Sequence, residues 1–296
     1  AIRDEKIKIL KALKPIQPQD VAEKTVRGQY RSGAIAGTSY AVDTAALARR
    51  LGFSRVVANS MDASSDRDFA ASFLFAVSLS MVHLSRIAED FIIFTGEEHG
   101  FFELSDASAT GSSMMPQKKN PDPLELVRGK TGRAMGRLVA LLTTMKGLPS
   151  GYNKDLQEDK EGVFDAERTL AVSLTAASSV VEHLSVNQVR TERAASGLLL
   201  ATDVADYLVS RGVPFRRAHE VVGAMVRRLL AEGRDFQDLS MAEWAAASEA
   251  FGPDAPQAAT ALASVRAKRT PQSTNPDSVD RALEENRTWL AVHGRG

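Results

Sequence analysis

Two stretches of this 296-residue chain hold residue types whose order could do chemistry. The first is Gly111-Ser-Ser-Met-Met-Pro-Gln-Lys-Lys-Asn120, which sets two serines, two adjacent lysines and an asparagine just before a helix start. Backbone N–H groups at a helix N-terminus attract anions, and lysines beside them strengthen the field. Such a segment suits a carboxylate or phosphate ligand, and its methionines and proline fit a loop that packs when closed and can open. A helix-capping turn with solvated lysines is the other reading of the same residues. The second stretch is Tyr152-Asn-Lys-Asp-Leu-Gln-Glu-Asp-Lys160. By residue type alone, Tyr152 could be a packing aromatic and Lys160 a solvated charge near a helix N-terminus.

The elements that must position these residues read as almost entirely helical. Ala, Leu, Arg and Glu are plentiful, and alternating β-branched runs are few. The longest periodic segment runs from Asp66 to about Glu98, with Phe69, Phe73, Val77, Met81, Leu84, Ala88 and Phe91 at spacings of three and four. Leu74, Leu79, Ile87 and Ile92 surround that stripe, so the helix is apolar over most of its circumference and must be buried against several neighbours. At 1.5 Å per residue it would be roughly 50 Å long. A second helix is expected from about Asp122 to Lys146, entered through Pro121 and Pro123 and stopped by Gly147 and Pro149. Its Gly129, Gly132 and Gly136 cost helix propensity but allow close backbone approach. A third is expected from about Glu158 to Val186. Three long helices in succession imply a bundle, and their hydrophobicity points to a multimeric core whose exposed face would favour aggregation. After about Asn187 the pattern changes to shorter amphipathic helices, Ala201 to Ser210, Arg216 to Glu232, Met241 to Ala250 and Pro276 to His293. The fold class expected is therefore all-α, a long-helix bundle over residues 32–186 with a small helical domain over 187–296.

Composition narrows the function classes. Hydrophobic residues make up 44% and charged residues 25%, the balance of a globular protein. Thirty-seven basic residues cancel 37 acidic ones, which argues against a nucleic-acid or anionic-membrane partner. With no cysteine there is no disulfide, thiolate metal site or cysteine nucleophile, which fits the cytoplasm. Ala1-Ile-Arg-Asp-Glu-Lys is charged where an apolar signal region would begin, so no secretory signal is expected at this start. Phe69 to Ser85 is an uncharged run of about 17 residues, at the lower limit for a membrane span. Its Ser72, Ser78, Ser80 and His83 and its charged flanks make it a core helix instead.

The ten-residue loop fits the pattern Gly-Ser-Ser-x-Met-Pro-x-Lys-x-Asn, and through it the chain resembles the fumarase/aspartase superfamily. Within that superfamily, Gln117-Lys-Lys-Asn-Pro-Asp122 and Tyr152 to Lys160 are similar to the argininosuccinate lyases, as are Ser105-Asp-Ala and Gly147-Leu-Pro149. The likeness covers residues 32 to 296. It implies β-elimination of argininosuccinate to arginine and fumarate, with no cofactor and no metal, in a homotetramer whose active sites are shared between subunits. It also implies roles. Ser112 would be the base that removes the proton β to the leaving nitrogen, which requires strong stabilisation of its alkoxide. Lys118 and Asn120 would hold the carboxylate that gains charge as the aci-dianion forms. Glu125 would orient a catalytic histidine, and Tyr152, Gln157 and Lys160 would contact substrate.

That histidine belongs to a Thr-His-x-Gln segment in the family, and no such segment occurs among these 296 residues. His83 and His183 fall in helical patterns and read as core or groove residues, while His219 begins His-Glu-Val-Val-Gly without the second histidine of a zinc-protease motif. His99 precedes a Gly-Phe-Phe turn, and His293 lies near the end of the chain. By comparison with the family, roughly two hundred N-terminal residues would be absent, so the chain is expected to be inactive alone and to complement partners carrying the rest. Residues 1–31 resemble a piece of glucose-6-phosphate dehydrogenase, in Ile2 to Lys11 and Glu23 to Tyr30, which suggests a chimera joined near residue 32. Two alternatives stay open: a non-catalytic chimeric fragment or structural protein on the lyase scaffold, like the crystallins that resemble this enzyme, and another fumarate-releasing lyase such as adenylosuccinate lyase. NADP or sugar-phosphate chemistry is a weak third, since about thirty residues cannot make a dinucleotide fold.

Overall fold

The computed structural model describes residues 35–52, 56–111 and 119–293, and most of its regular structure is α-helix. The chain divides into two compact units. Among the described residues, one contains those from 35 to 96 together with those of Leu104–Ser185, and the other contains Glu97–Glu103 and those from 186 to 293.

The first unit is built on three long helices, preceded by the short helices α1 (Thr44–Arg50) and α2 (Ser60–Ser65). Helix α3 spans Asp68–Thr95, α4 Asp122–Met145 and α5 Asp159–His183, and each of the three packs against the other two. Their shared core follows the periodicity of the sequence. Phe73, Leu74, Val77, Met81, Leu84 and Phe91 of α3 are buried, facing Leu124, Val127 and Ala134 of α4 and Ala166, Leu170 and Val181 of α5. Burying each large side chain contributes about 1.5–3 kcal/mol, so this stripe dominates the unit's stability. Small polar residues let α3 and α4 come close. Thr131 donates its hydroxyl to the Met81 carbonyl at 3.1 Å, and the Ser78 hydroxyl reaches the Ala134 carbonyl at 3.4 Å.

The bundle expected from the sequence is present, with trimmed ends. Helix α3 is shorter at both ends than the Asp66 to Glu98 reading, and α5 starts after a 3₁₀ turn over Lys154–Glu158. Helix α3 is long and apolar enough to cross a membrane by length and composition alone. Its buried face instead packs on α4 and α5, while Phe75, Leu79 and Ile93 on its other face are exposed. Leu126 and Val139 of α4 and Phe164 and Val172 of α5 are more than half exposed as well, so one chain covers only the inner side of its bundle.

The second unit holds α6 (Gln188–Ala194), α7 (Ala201–Ser210), α8 (Phe215–Glu232), α9 (Met241–Ala247), α10 (Ala255–Ala258), α11 (Ala261–Ala267) and α12 (Pro276–His293). Its core gathers Leu208, Val222, Met225, Leu229, Phe236, Trp244 and Phe251. Helix α8 stops at Gly233, whose φ of 65° is the left-handed conformation that ends helices. A capping box, Ser240 with Glu243, starts α9. That helix ends at Ala247, three residues before the expected Ala250.

Candidate active site

The loop predicted to carry the chemistry is mounted on a short antiparallel ladder. Strand β1 (Thr110–Gly111) pairs with β2 (Lys119–Asn120), Thr110 opposite Asn120 and Gly111 opposite Lys119. Ser112 and Lys118 themselves lie outside the described residues. The ladder's second strand runs through Pro121 into α4, which begins without a side-chain cap and with a proline in its first turn. Two side chains, Thr110 and Lys119, fix this junction. The Thr110 hydroxyl donates to the Asp122 carboxylate at the first residue of α4. Lys119 Nζ meets the Asp106 carboxylate at 2.9 Å and the Leu104 carbonyl at 3.2 Å, tying β2 to the 3₁₀ turn Asp106–Ser108. Asn120 is half-buried at the foot of α4, and Glu125 stands exposed on its first turn. An amide beside an uncapped helix N-terminus is an arrangement that receives a carboxylate.

Tyr152, Gln157 and Lys160 form a second group at the start of α5. The Gln157 amide donates to the Tyr152 hydroxyl oxygen, and Lys160 Nζ sits 3.0 Å from Asp159 Oδ1. The other oxygen of Asp159 receives Arg67 Nε at 2.5 Å, in an ion pair whose side chains are only 8% and 9% exposed. Arg67 immediately precedes α3 and also donates to the Asp66 carbonyl at 2.7 Å. The sequence reading missed this pair. Its one local signal was an acid in the charged run Glu158–Glu161 beside the predicted Lys160, and a partner 92 residues away leaves no local trace.

The two groups lie at opposite ends of the bundle. Helix α5 runs back along α4: Asp165 binds Arg133, and Arg137 Nε at 2.8 Å, and the start of α5 lines an 80 Å³ cavity with Arg137, Ala140, Leu141 and Thr144. Lys160 is therefore level with the neighbourhood of Leu141, about 24 Å along the helix axis from Glu125 at 1.5 Å per residue. One chain does not bring Asn120 and Glu125 to Tyr152, Gln157 and Lys160. Among the described residues no group of three or more acidic or histidine side chains could hold a metal ion. His83 and His183 are exposed rather than core residues, and the His183 Nδ1 is 2.8 Å from the Ser179 carbonyl. Asp165, between its two arginines, is held below the usual carboxylate range, chiefly by the hydrogen bond from Arg133.

Comparison with known proteins agrees with the loop. The family described as "Lyase" matches residues 14–136, and "Argininosuccinate lyase C-terminal" matches residues 198–266. The chain is 51% identical over 264 residues to an argininosuccinate lyase of Moorella thermoacetica, covering 88% of this chain and 56% of that protein. It is 49% identical over 274 residues to that of Roseiflexus castenholzii, covering 93% and 60%. The chain thus spans a little over half the length of these curated relatives. Among solved structures, an EDDS lyase variant with bound fumarate superposes with a TM-score of 0.73 at 22% identity, covering 99% of this chain and 71% of that one. A 3-carboxy-cis,cis-muconate lactonizing enzyme of Pseudomonas putida gives 0.72 at 20% identity, covering 97% and 63%. Both share the fold. The first family match begins at residue 14, within the stretch 1–31, and the alignment to the Moorella enzyme covers 264 residues. From its Gly111–Asn120 motif, its helical bundle and these relatives, the chain belongs to the argininosuccinate lyase family of the fumarase/aspartase superfamily.

Proposed function

We propose that this chain contributes to the cleavage of argininosuccinate into arginine and fumarate, at active sites shared between the subunits of a cytoplasmic homotetramer. The observation that supports it best is about 50% identity to argininosuccinate lyases over nearly nine-tenths of the chain, spanning both chemistry-bearing stretches. In this reading Ser112 takes the proton from the carbon β to the departing nitrogen. The electron pair moves into the adjacent carboxylate, giving the aci-dianion that Lys118 and Asn120 hold. The C–N bond then breaks, its electron pair leaves on the guanidino nitrogen with a proton, and fumarate remains. Glu125 orients the histidine of the Thr-His-x-Gln segment, and Tyr152, Gln157 and Lys160 hold the substrate. No redox group or metal takes part in these steps.

A polypeptide of these 296 residues is expected to release little fumarate by itself, because it has no Thr-His-x-Gln segment. The test is complementation. The chain is mixed with a longer lyase that carries the histidine segment but whose loop serine, equivalent to Ser112, is alanine. Fumarate is then followed by its ultraviolet absorbance with argininosuccinate, adenylosuccinate or aspartate supplied. Activity with argininosuccinate that disappears in Ser112→Ala supports the reading. Activity with adenylosuccinate instead reassigns the substrate, and no activity with any of them favours the non-catalytic alternative.

A further inference from the structure

We propose that Lys119 is a positioning residue of the elimination site: it pins strand β2 to a buried turn, so that Asn120 on the strand's opposite face is held toward the incoming carboxylate. The inference deepens the lyase reading and rests on it for the role of Asn120. Two adjacent lysines precede Asn120 in the Gly111–Asn120 motif, and residue type alone does not separate their tasks. The structure gives the second of them an internal one.

Neighbouring residues of a strand point to opposite faces. Lys119 turns its Nζ to the Leu104 carbonyl at 3.2 Å and the Asp106 carboxylate at 2.9 Å, so Asn120 projects from the other face. The register of the ladder agrees. Thr110 stands across from Asn120 and sends its hydroxyl to Asp122 at the start of α4. Gly111, across from Lys119, has no side chain to compete with the lysine for space. One face of the ladder therefore serves the helix start, and the other serves the anchor.

That anchor is part of the core. Leu104 and Ser108 are each 3% exposed, the Ser108 amide donates to the Ser105 carbonyl at 2.9 Å, and the turn Asp106–Ser108 packs on α5. The Asp106 and Lys119 side chains are themselves 93% and 42% exposed, and an ion pair so open to water contributes little to stability. A small share of stability is compatible with a large effect on rate, because a misplacement of about 1 Å in a positioned group costs roughly 10²-fold. Losing the pin would also free the Lys119 ammonium to meet the substrate carboxylate itself and draw it away from Asn120. Since Asn120 acts on the carboxylate that gains charge, the loss falls on kcat more than on KM.

Two readouts test the assignment, and one needs no turnover. In the chain by itself, the Asn120 side-chain amide is followed by nitrogen–proton NMR, assigned through Asn120→Asp, while succinate is added. Succinate is expected to shift that signal saturably. Lys119→Met should weaken this binding at least tenfold and Lys119→Arg less than threefold, with circular dichroism unchanged. Asp106→Asn should fall between them, because the Leu104 carbonyl remains. In the complementation mixture only this chain carries an intact loop serine, so the same variants are read in fumarate release. There Lys119→Met should lower kcat at least tenfold while KM stays within twofold. The assignment is overturned if succinate leaves the Asn120 amide unmoved, or if Lys119→Met binds succinate as tightly as the parent. Should Lys119→Met lose its helical signal, Asp106→Asn carries the test, and parent-like binding there overturns the assignment. Lys119-dependent succinate binding in a chain that fails complementation sinks the lyase reaction and keeps the positioning role. Normal turnover by Lys119→Met does the reverse.

Discussion

Replacing Arg67 with methionine removes the guanidinium from Asp159 and keeps a side chain of similar length. In the folded chain the pair is 2.5 Å apart with side chains 8% and 9% exposed, so the Asp159 carboxylate is left largely dehydrated with one remaining cation. That cation, Lys160 at 3.0 Å, is 54% exposed and spends much of its charge on water. Breaking a buried pair from one side costs about 3–5 kcal/mol. With Lys160 partly compensating, about 3 kcal/mol is expected here, and for a unit of this size that lowers Tm by roughly 6–12 °C. Arg67→Met/Asp159→Leu removes both charges and fills the space with carbon, so it should lie within about 1 kcal/mol of the parent. Trp244 and Trp289 both belong to the second unit, so tryptophan fluorescence is blind to this change. Urea unfolding followed by hydrogen exchange at α3 and α5 reads it directly. A single-variant cost below about 1 kcal/mol, or a double variant as damaged as the sum of the singles, would refute the reasoning that ties the two helix starts together through this pair.

The acid response of the second unit is set by Glu243, whose carboxyl is pushed down to about 2 by hydrogen bonds from Arg234 and then Ser240. Its folded value lies below its unfolded one, so its contribution is fully present above about pH 4.5 and is lost as pH falls toward 2; Glu243→Gln should flatten the stability-versus-pH curve in that window, and an unchanged curve would count against it. Trp244 is fully buried and its Nε1 has no hydrogen-bond partner. Trp244→Ala should cost about 3–5 kcal/mol, and Trp244→Phe clearly less because it deletes an unpaired donor. Blue-shifted emission that survives Trp289→Phe would identify Trp244 as the buried fluorophore. Gly100 has a φ of 56° and lies under Arg190, whose guanidinium an added Cβ would displace. Gly100→Ala should destabilise by about 1 kcal/mol from backbone strain, and proteolysis of the Glu97–Glu103 segment should accelerate.

The long helices were legible because each repeats apolar residues at three and four over many turns, from Phe73 to Phe91 in α3 and from Val163 to Val181 in α5. Short helices left only their caps. Asp43, Asn59, Asn187 and Thr260 each accept a hydrogen bond at the start of α1, α2, α6 and α11, but six or seven residues are too few to show a period. The loop could be proposed as chemistry from sequence because one contiguous motif carries it, and the lysine tethering its ladder lies within that motif. Arg67 was not, since only the packing of α3 against α5 makes it a partner of Asp159. The separation of Asn120 from Lys160 was implicit in the length of α4, a helix of 24 residues between them, but became a constraint only once α5 was seen to run back along it.

The three glycines of α4 give a test of sign. Each costs a helix about 0.5–1 kcal/mol relative to alanine, and among the described residues a Cβ at each would meet open space, so no contact there offsets that cost. Changing Gly129, Gly132 and Gly136 to alanine should therefore stabilise the dissociated chain, by about 1.5–3 kcal/mol if the sites act independently. In the homotetramer proposed above, those added methyl groups would crowd a helix packed on this exposed stripe, so association should weaken as the isolated fold strengthens. Denaturant unfolding at high dilution reads the first effect, and sedimentation at high concentration reads the second. If the triple variant is less stable as a monomer, the glycines serve the chain's own fold. If it is more stable and associates as well as the parent, the contact lies on another face. Only opposite signs in the two measurements fit a helix whose small residues are kept for a neighbour.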